Sequence, residues 1–151
     1  MSEPKSPDAL GPTLHALARA HRARLSALLA PHGLHAGQDL LLLAVWETPG
    51  LRQGALADRL DVEPPTITRM LQRLERGGMI ERRTDPHDRR VMQVHPTPRS
   101  RLLEGIVKRA WASLDEQLID ALGNGDAVRL QKLARTATVA LGETRDERRE
   151  T

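Results

Sequence analysis

Hydrogen-bonding side chains and positive charge recur in two short stretches of this chain, one opened by Pro65 with Thr66, Thr68, Arg69, Gln72 and Arg73, the other formed by Asp88, Arg89 and Arg90. These types at this spacing make neither a nucleophile with its base nor a metal-ligand set. They suit the gripping of phosphate oxygens and base-pair edges. A guanidinium can hold guanine O6 and N7 together, which makes Arg69 the candidate for a base edge. Thr66 suits a phosphate or a thymine methyl, and Arg73, a turn later, suits a phosphate clamp. Asp88 is placed to orient Arg90 through a charge-assisted hydrogen bond, with Arg89 beside it for phosphate. The bland alternative is a solvated polar face, and an exposed Asp88–Arg90 pair contributes under about 1 kcal/mol by itself.

The elements that must carry these groups are legible around them. Ile67, Met70, Leu71 and Leu74 recur at three- and four-residue steps, so residues 64–77 form a helix with one apolar stripe. Pro65, Thr66, Arg69, Gln72 and Arg73 lie on the opposite face. Pro64-Pro65 suits a first helical turn and Gly77-Gly78 a helix end. Gln53–Leu60 is a shorter helix with Leu56, Ala57 and Leu60 on one side. Met79–Thr84 reads as a strand, Asp85-Pro86-His87-Asp88 as a turn, and Arg90–His95 as the return strand. Two helices joined by a tight turn, followed by a hairpin, are expected to form a winged helix-turn-helix.

The ordered set resembles the MarR family of bacterial transcription regulators. The resemblance rests on Leu56-Ala57, Pro64-Pro65-Thr66, the run from Leu74 to Arg82, Asp88-Arg89-Arg90 and the spacing from there to Thr97. It extends upstream to Gly33-Leu34 and Gln38, and loosely over the flanking helices. The chain departs from the family at His35, Pro96 and Ser100, none of them on the reading face. The resemblance implies a mainly α fold with a small β-hairpin wing, a winged helix-turn-helix flanked by a helical dimerisation region. It also implies a homodimeric repressor on double-stranded DNA, released by a small lipophilic or aromatic-acid effector. Arg90 matches the family's minor-groove arginine, and narrow A·T-rich grooves attract arginine electrostatically. The effector site implied between the dimerisation helices and the winged helix would draw on Trp46, with His15, His21 and His35 as polar partners; the alternative is that Trp46 is simply core.

Composition agrees. The net charge of +3 falls wholly within Thr66–Arg90, where seven arginines face four acids. Thus the excess sits where phosphate would be met. There is no Phe or Tyr, which disfavours base stacking on single strands. Zero cysteines exclude a disulfide framework, a thiolate zinc site and a thiol switch. The six histidines are scattered, without partners at ligand spacing, so no metal and no cofactor are expected. No glycine-rich phosphate loop or catalytic triad spacing is present, and Asp115, Glu116 and Asp120 read as a solvated helix face; an enzyme is not expected. No run is long enough to span a membrane, and no apolar leader opens the sequence, so the expected location is cytoplasmic.

Residues 1–11 read as a flexible tail, 12–36 and 98–142 as the dimerisation region, 37–97 as the winged helix, and 143–151 as a charged tail. Leu14, Leu17, His21, Leu25 and Leu28 share one face of the first helix. Leu102, Ile106, Ala110, Leu114 and Leu118 line a helix over Arg99–Leu122, and Leu130, Leu133, Ala137 and Leu141 line the last. These stripes need a partner, and a second copy is the economical one. Such a dimer would space two reading helices ~34 Å apart and require an inverted repeat. The competing function is a winged helix that binds an acidic protein partner without reading DNA sequence.

Overall fold

The computed structural model describes residues 9–146; of the expected tails, 1–11 and 143–151, the parts at 1–8 and 147–151 lie outside the described residues. Two compact units are present, one ending at Trp111 and one beginning at Ala112. The first contains α1 (Leu10–Leu29), a 3-10 turn (Ala30–His32), α2 (Gln38–Glu47), β1 (Leu51–Arg52), α3 (Gln53–Leu60), α4 (Pro64–Arg76), β2 (Ile80–Thr84), β3 (Met92–Pro96) and α5 (Pro98–Arg101). Helix α6 (Glu104–Leu122) begins in it, and α7 (Asn124–Asp146) belongs to the second. The fold is mainly α with a small antiparallel sheet, as expected. No helix among the described residues is long and apolar enough to cross a membrane.

The core of the first unit is almost wholly aliphatic. Leu41, Leu42, Ala44, Val45 and Trp46 of α2 are buried with Leu56, Ile67, Leu71, Leu74, Ile80 and Val94. Helix α4 forms because Pro64 pre-sets its first turn while Glu63, held extended before a proline, closes α3's turn. It ends in a Schellman motif, in which the Met79 N–H donates to the Leu74 carbonyl and the Gly78 N–H to that of Glu75. Gly78 supplies the left-handed residue at φ +71. The turn out of α3 uses the same two bonds, from Val62 to Ala57 and from Asp61 to Asp58, with Asp61 left-handed at φ 52.

Three strands, not two, build the sheet, in the order β1-β3-β2. Residues Leu51, Val94 and Arg82 align in one row and Arg52, Gln93 and Arg83 in the next, so the two sets face opposite sides. The expected return strand began at Arg90; the structure starts it at Met92, because Arg90 belongs to the wing turn.

The flanking helices depart from their expected patterns. Helix α1 begins at Leu10, before the expected start, and α7 continues to Asp146, into the stretch read as a tail. The single helix expected over Arg99–Leu122 is two. Thr97 caps the short α5 by accepting from the Ser100 N–H, and Ser100 is in turn fixed by the Thr97 carbonyl and the Trp46 indole. That anchoring ends α5, and α6 restarts after Leu103. Of the expected stripe Ala110 and Leu114 are buried, joined by Val107, while Leu102 is 80% exposed. In α1, Leu25 and Leu29 are buried but Leu10, Leu14 and Leu17 are not. In the second unit Val128, Leu133, Val139 and Leu141 are exposed.

Candidate nucleic-acid interface

The structure brings the sequence-derived residues of α4 to one surface, with a single exception. Pro65, Thr66, Arg69, Gln72 and Arg73 are exposed, opposite buried Ile67, Leu71 and Leu74. Thr68 differs. Its hydroxyl donates to the Pro64 carbonyl at 2.9 Å and accepts from Gln53 Nε2 at 3.0 Å, a bridge from α3 to α4. Committed in both directions, it fixes the angle between the helices and has no proton to offer a ligand. The Arg69 Nε donates to the Pro65 carbonyl at 3.3 Å, which leaves both terminal nitrogens of its guanidinium pointing onward. Arg73, Arg89 and Gln72 have no side-chain partner among the described residues.

The wing is built around Asp85, which the sequence showed only as a turn residue. This carboxylate is 4% exposed and collects four donors. One oxygen accepts from the backbone N–H groups of His87 and Asp88, the other from Gln93 Nε2, and the Arg52 guanidinium lies 3.3 Å away. The His87 N–H above all, aided by Gln93 and Arg52, holds the Asp85 carboxyl below its ordinary value of 3.8. The signal for part of this was in the sequence. Asp before Pro at a turn start commonly accepts an N–H two residues on. Arg52 and Gln93 come from distant strands and left no local trace.

At the tip, Asp88 aims Arg90. Its Oδ1 accepts from the Arg90 backbone N–H at 3.0 Å and from Nε at 3.2 Å, and Oδ2 from a terminal nitrogen at 3.4 Å. The Arg90 side chain is nonetheless 91% exposed, projecting from the wing with Asp88 as its counter-charge. The same Arg90 bonds, backbone first, lower the Asp88 carboxyl from its usual range. Arg89 is exposed alongside.

The four residues expected at an effector site are not gathered into one wall. Trp46 is buried in the core, with its indole N–H on Ser100 Oγ at 3.2 Å and no open face. His21 instead meets Trp111, ring centroids 5.2 Å apart, and the Trp111 indole donates to buried Asp39 at 3.0 Å. His15 is exposed on α1. His35 lines a shallow groove of about 350 Å³ shared with Gln38, Arg73 and Met79.

A MarR-family model matches residues 34–92. The transcriptional regulator TtmR of Methylorubrum extorquens (strain PA1) is 38% identical over 91 residues, 60% of this chain and 45% of that protein. The transcriptional repressor Rv2887 of Mycobacterium tuberculosis (strain ATCC 25618 / H37Rv) is 30% identical over 107 residues, 68% of this chain and 77% of that protein. A crystal structure of MarR superposes with a TM-score of 0.80 and 27% identity, covering 97% of this chain and 99% of that one. The chain spans about half the length of the first curated relatives it matches.

Proposed function

Since this chain belongs to the MarR family of transcription regulators, we propose that it is a dimeric, sequence-specific repressor acting on an inverted-repeat operator in the cytoplasm. Helix α4 lies in the major groove and the wing, residues 84–91, in the minor groove. The observation that carries this reading is the pairing of two exposed arginine sets on rigid supports. Arg69 and Arg73 stand on a helix anchored by Ile67, Leu71 and Leu74, and Arg89 and Arg90 on a turn anchored by Asp85. A rigid support favours binding because no backbone ordering has to accompany it, and only the arginine side chains remain to be fixed. Thr66 and Arg73 serve the phosphates, Arg69 a guanine edge and Arg90 the narrow groove.

Dimerisation is supported by the exposed leucines of α1 and of the second unit, which a lone chain leaves in water. A small lipophilic or aromatic-acid effector is supported by the family alone. Of the residues first considered for it, His21 and His35 keep accessible surface beside polar partners, whereas Trp46 acts as core.

Selection of sites from a random duplex pool at fixed salt tests the reading, with Arg69→Ala and Arg90→Ala alongside. An inverted repeat that relaxes in Arg69→Ala and weakens in Arg90→Ala is the expected result. Equal, weak, unselective binding by all three proteins would overturn it and favour a winged helix that docks an acidic protein.

A further inference from the structure

Helix α4 presents a shorter list of base-reading groups than its sequence suggests, and the shortening identifies a second reader. The Thr68 hydroxyl is spent on Pro64 and Gln53, so it does not compete for a base edge. Arg69 is steered by its bond to the Pro65 carbonyl, with two parallel donors left over. One turn on, Gln72 is exposed, carries no side-chain partner among the described residues, and shares the face of Arg69. Its amide offers one donor and one acceptor side by side, the pattern complementary to adenine N7 and N6.

We propose that Gln72 reads an adenine beside the guanine read by Arg69. Each operator half-site then holds a G and an A about one or two base steps apart, because residues three apart on a helix have Cβ atoms ~5–6 Å apart and base pairs rise ~3.4 Å. The inference rests on the DNA-reading function proposed above and adds the base identity to it. Position 72 is a specificity determinant and position 68 a positioning one: Thr68, through Gln53, sets the tilt at which the two readers meet the groove.

The full chain, Gln72→Ala and Gln72→Glu are put through the same duplex selection at one salt concentration. The expected result for Gln72→Ala is a motif that keeps its G and loses its A, with the preference for A over other bases falling roughly 5- to 150-fold. Its dependence on salt should not change, since no phosphate contact is removed. Gln72→Glu should move the preference from A towards C, because a carboxylate accepts from cytosine N4. An exposed helical site tolerates both changes, and alanine is the best helix former. A motif unaltered at every position in Gln72→Ala overturns the inference while leaving the DNA-reading function standing. Absence of any motif with the full chain overturns both.

Discussion

Asp85 and Arg90 are the two ends of the wing's construction, a buried anchor and an exposed tip. Asp85 is nearly wholly buried, and the backbone of the tip hangs on one of its oxygens, which accepts from the His87 and Asp88 N–H groups. Its folded carboxyl lies below the unfolded value of 3.8, so its stabilising contribution is complete above that value and is lost as pH falls through the folded one. Carboxyl NMR should therefore show Asp85 titrating below 3.8; titration at or above it would remove the anchoring role. Asp85→Ala is expected to weaken DNA binding although the residue is buried, and Asp85→Asn, which retains an acceptor for the His87 N–H, to weaken it less. The role proposed for Arg73 is different, that of a charge facing phosphate. Arg73→Ala should weaken binding to all duplexes alike and lower the slope of log affinity against log salt by about 1. The exposed arginines were legible in the sequence because exposure follows from helical phase. Asp85's role and the withdrawal of Thr68 were not, since both depend on partners brought close only by folding, Arg52 and Gln93 in one case and Gln53 in the other.

At the scale of elements, α4 and its end show what periodicity determines. Three- and four-residue spacing located both faces of the helix, and Leu71→Ala should cost about 2–5 kcal/mol in denaturant unfolding, because the side chain is wholly buried. The Gly77-Gly78 pair marked the helix end, but only conformation separates the two glycines. Gly78 is left-handed and a Cβ there would lie 3.4 Å from the Arg99 guanidinium, whereas Gly77 is right-handed helical. Gly78→Ala is expected to destabilise by about 1–2 kcal/mol and Gly77→Ala to leave unfolding nearly unchanged; equal losses would contradict the Schellman assignment. Strand β1 was missed because two residues carry no alternation to detect, and it exists through its pairing with β3. The break between α5 and α6 was missed for a related reason. Its cause is the Trp46–Ser100 bond, fifty-four residues apart in sequence, which no local pattern records.

For the molecule as a whole, amphipathic stripes announced that something must cover them, and their phase was less certain than their existence. Leu102, expected inside, lies in water, while Leu133 and Leu141 are exposed on α7. The 151-residue chain should sediment at twice its 16.8 kDa. Leu133→Glu with Leu141→Glu should shift it towards the monomer and weaken operator binding together; a monomeric wild type that still selects an inverted repeat would break that link. The Trp46 anchor also has an optical consequence. With no tyrosine or phenylalanine, the near-ultraviolet absorbance and emission of this protein come from two indoles alone. One is sealed beside Ser100, and the other is half-open on α6, against His21 of α1 and Asp39 of α2. Trp111→Phe isolates the first indole and Trp46→Phe the second, so the native chain already contains two separate fluorescent gauges. One follows the integrity of the reading head and the other the joint between α1, α2 and α6, without any label being attached.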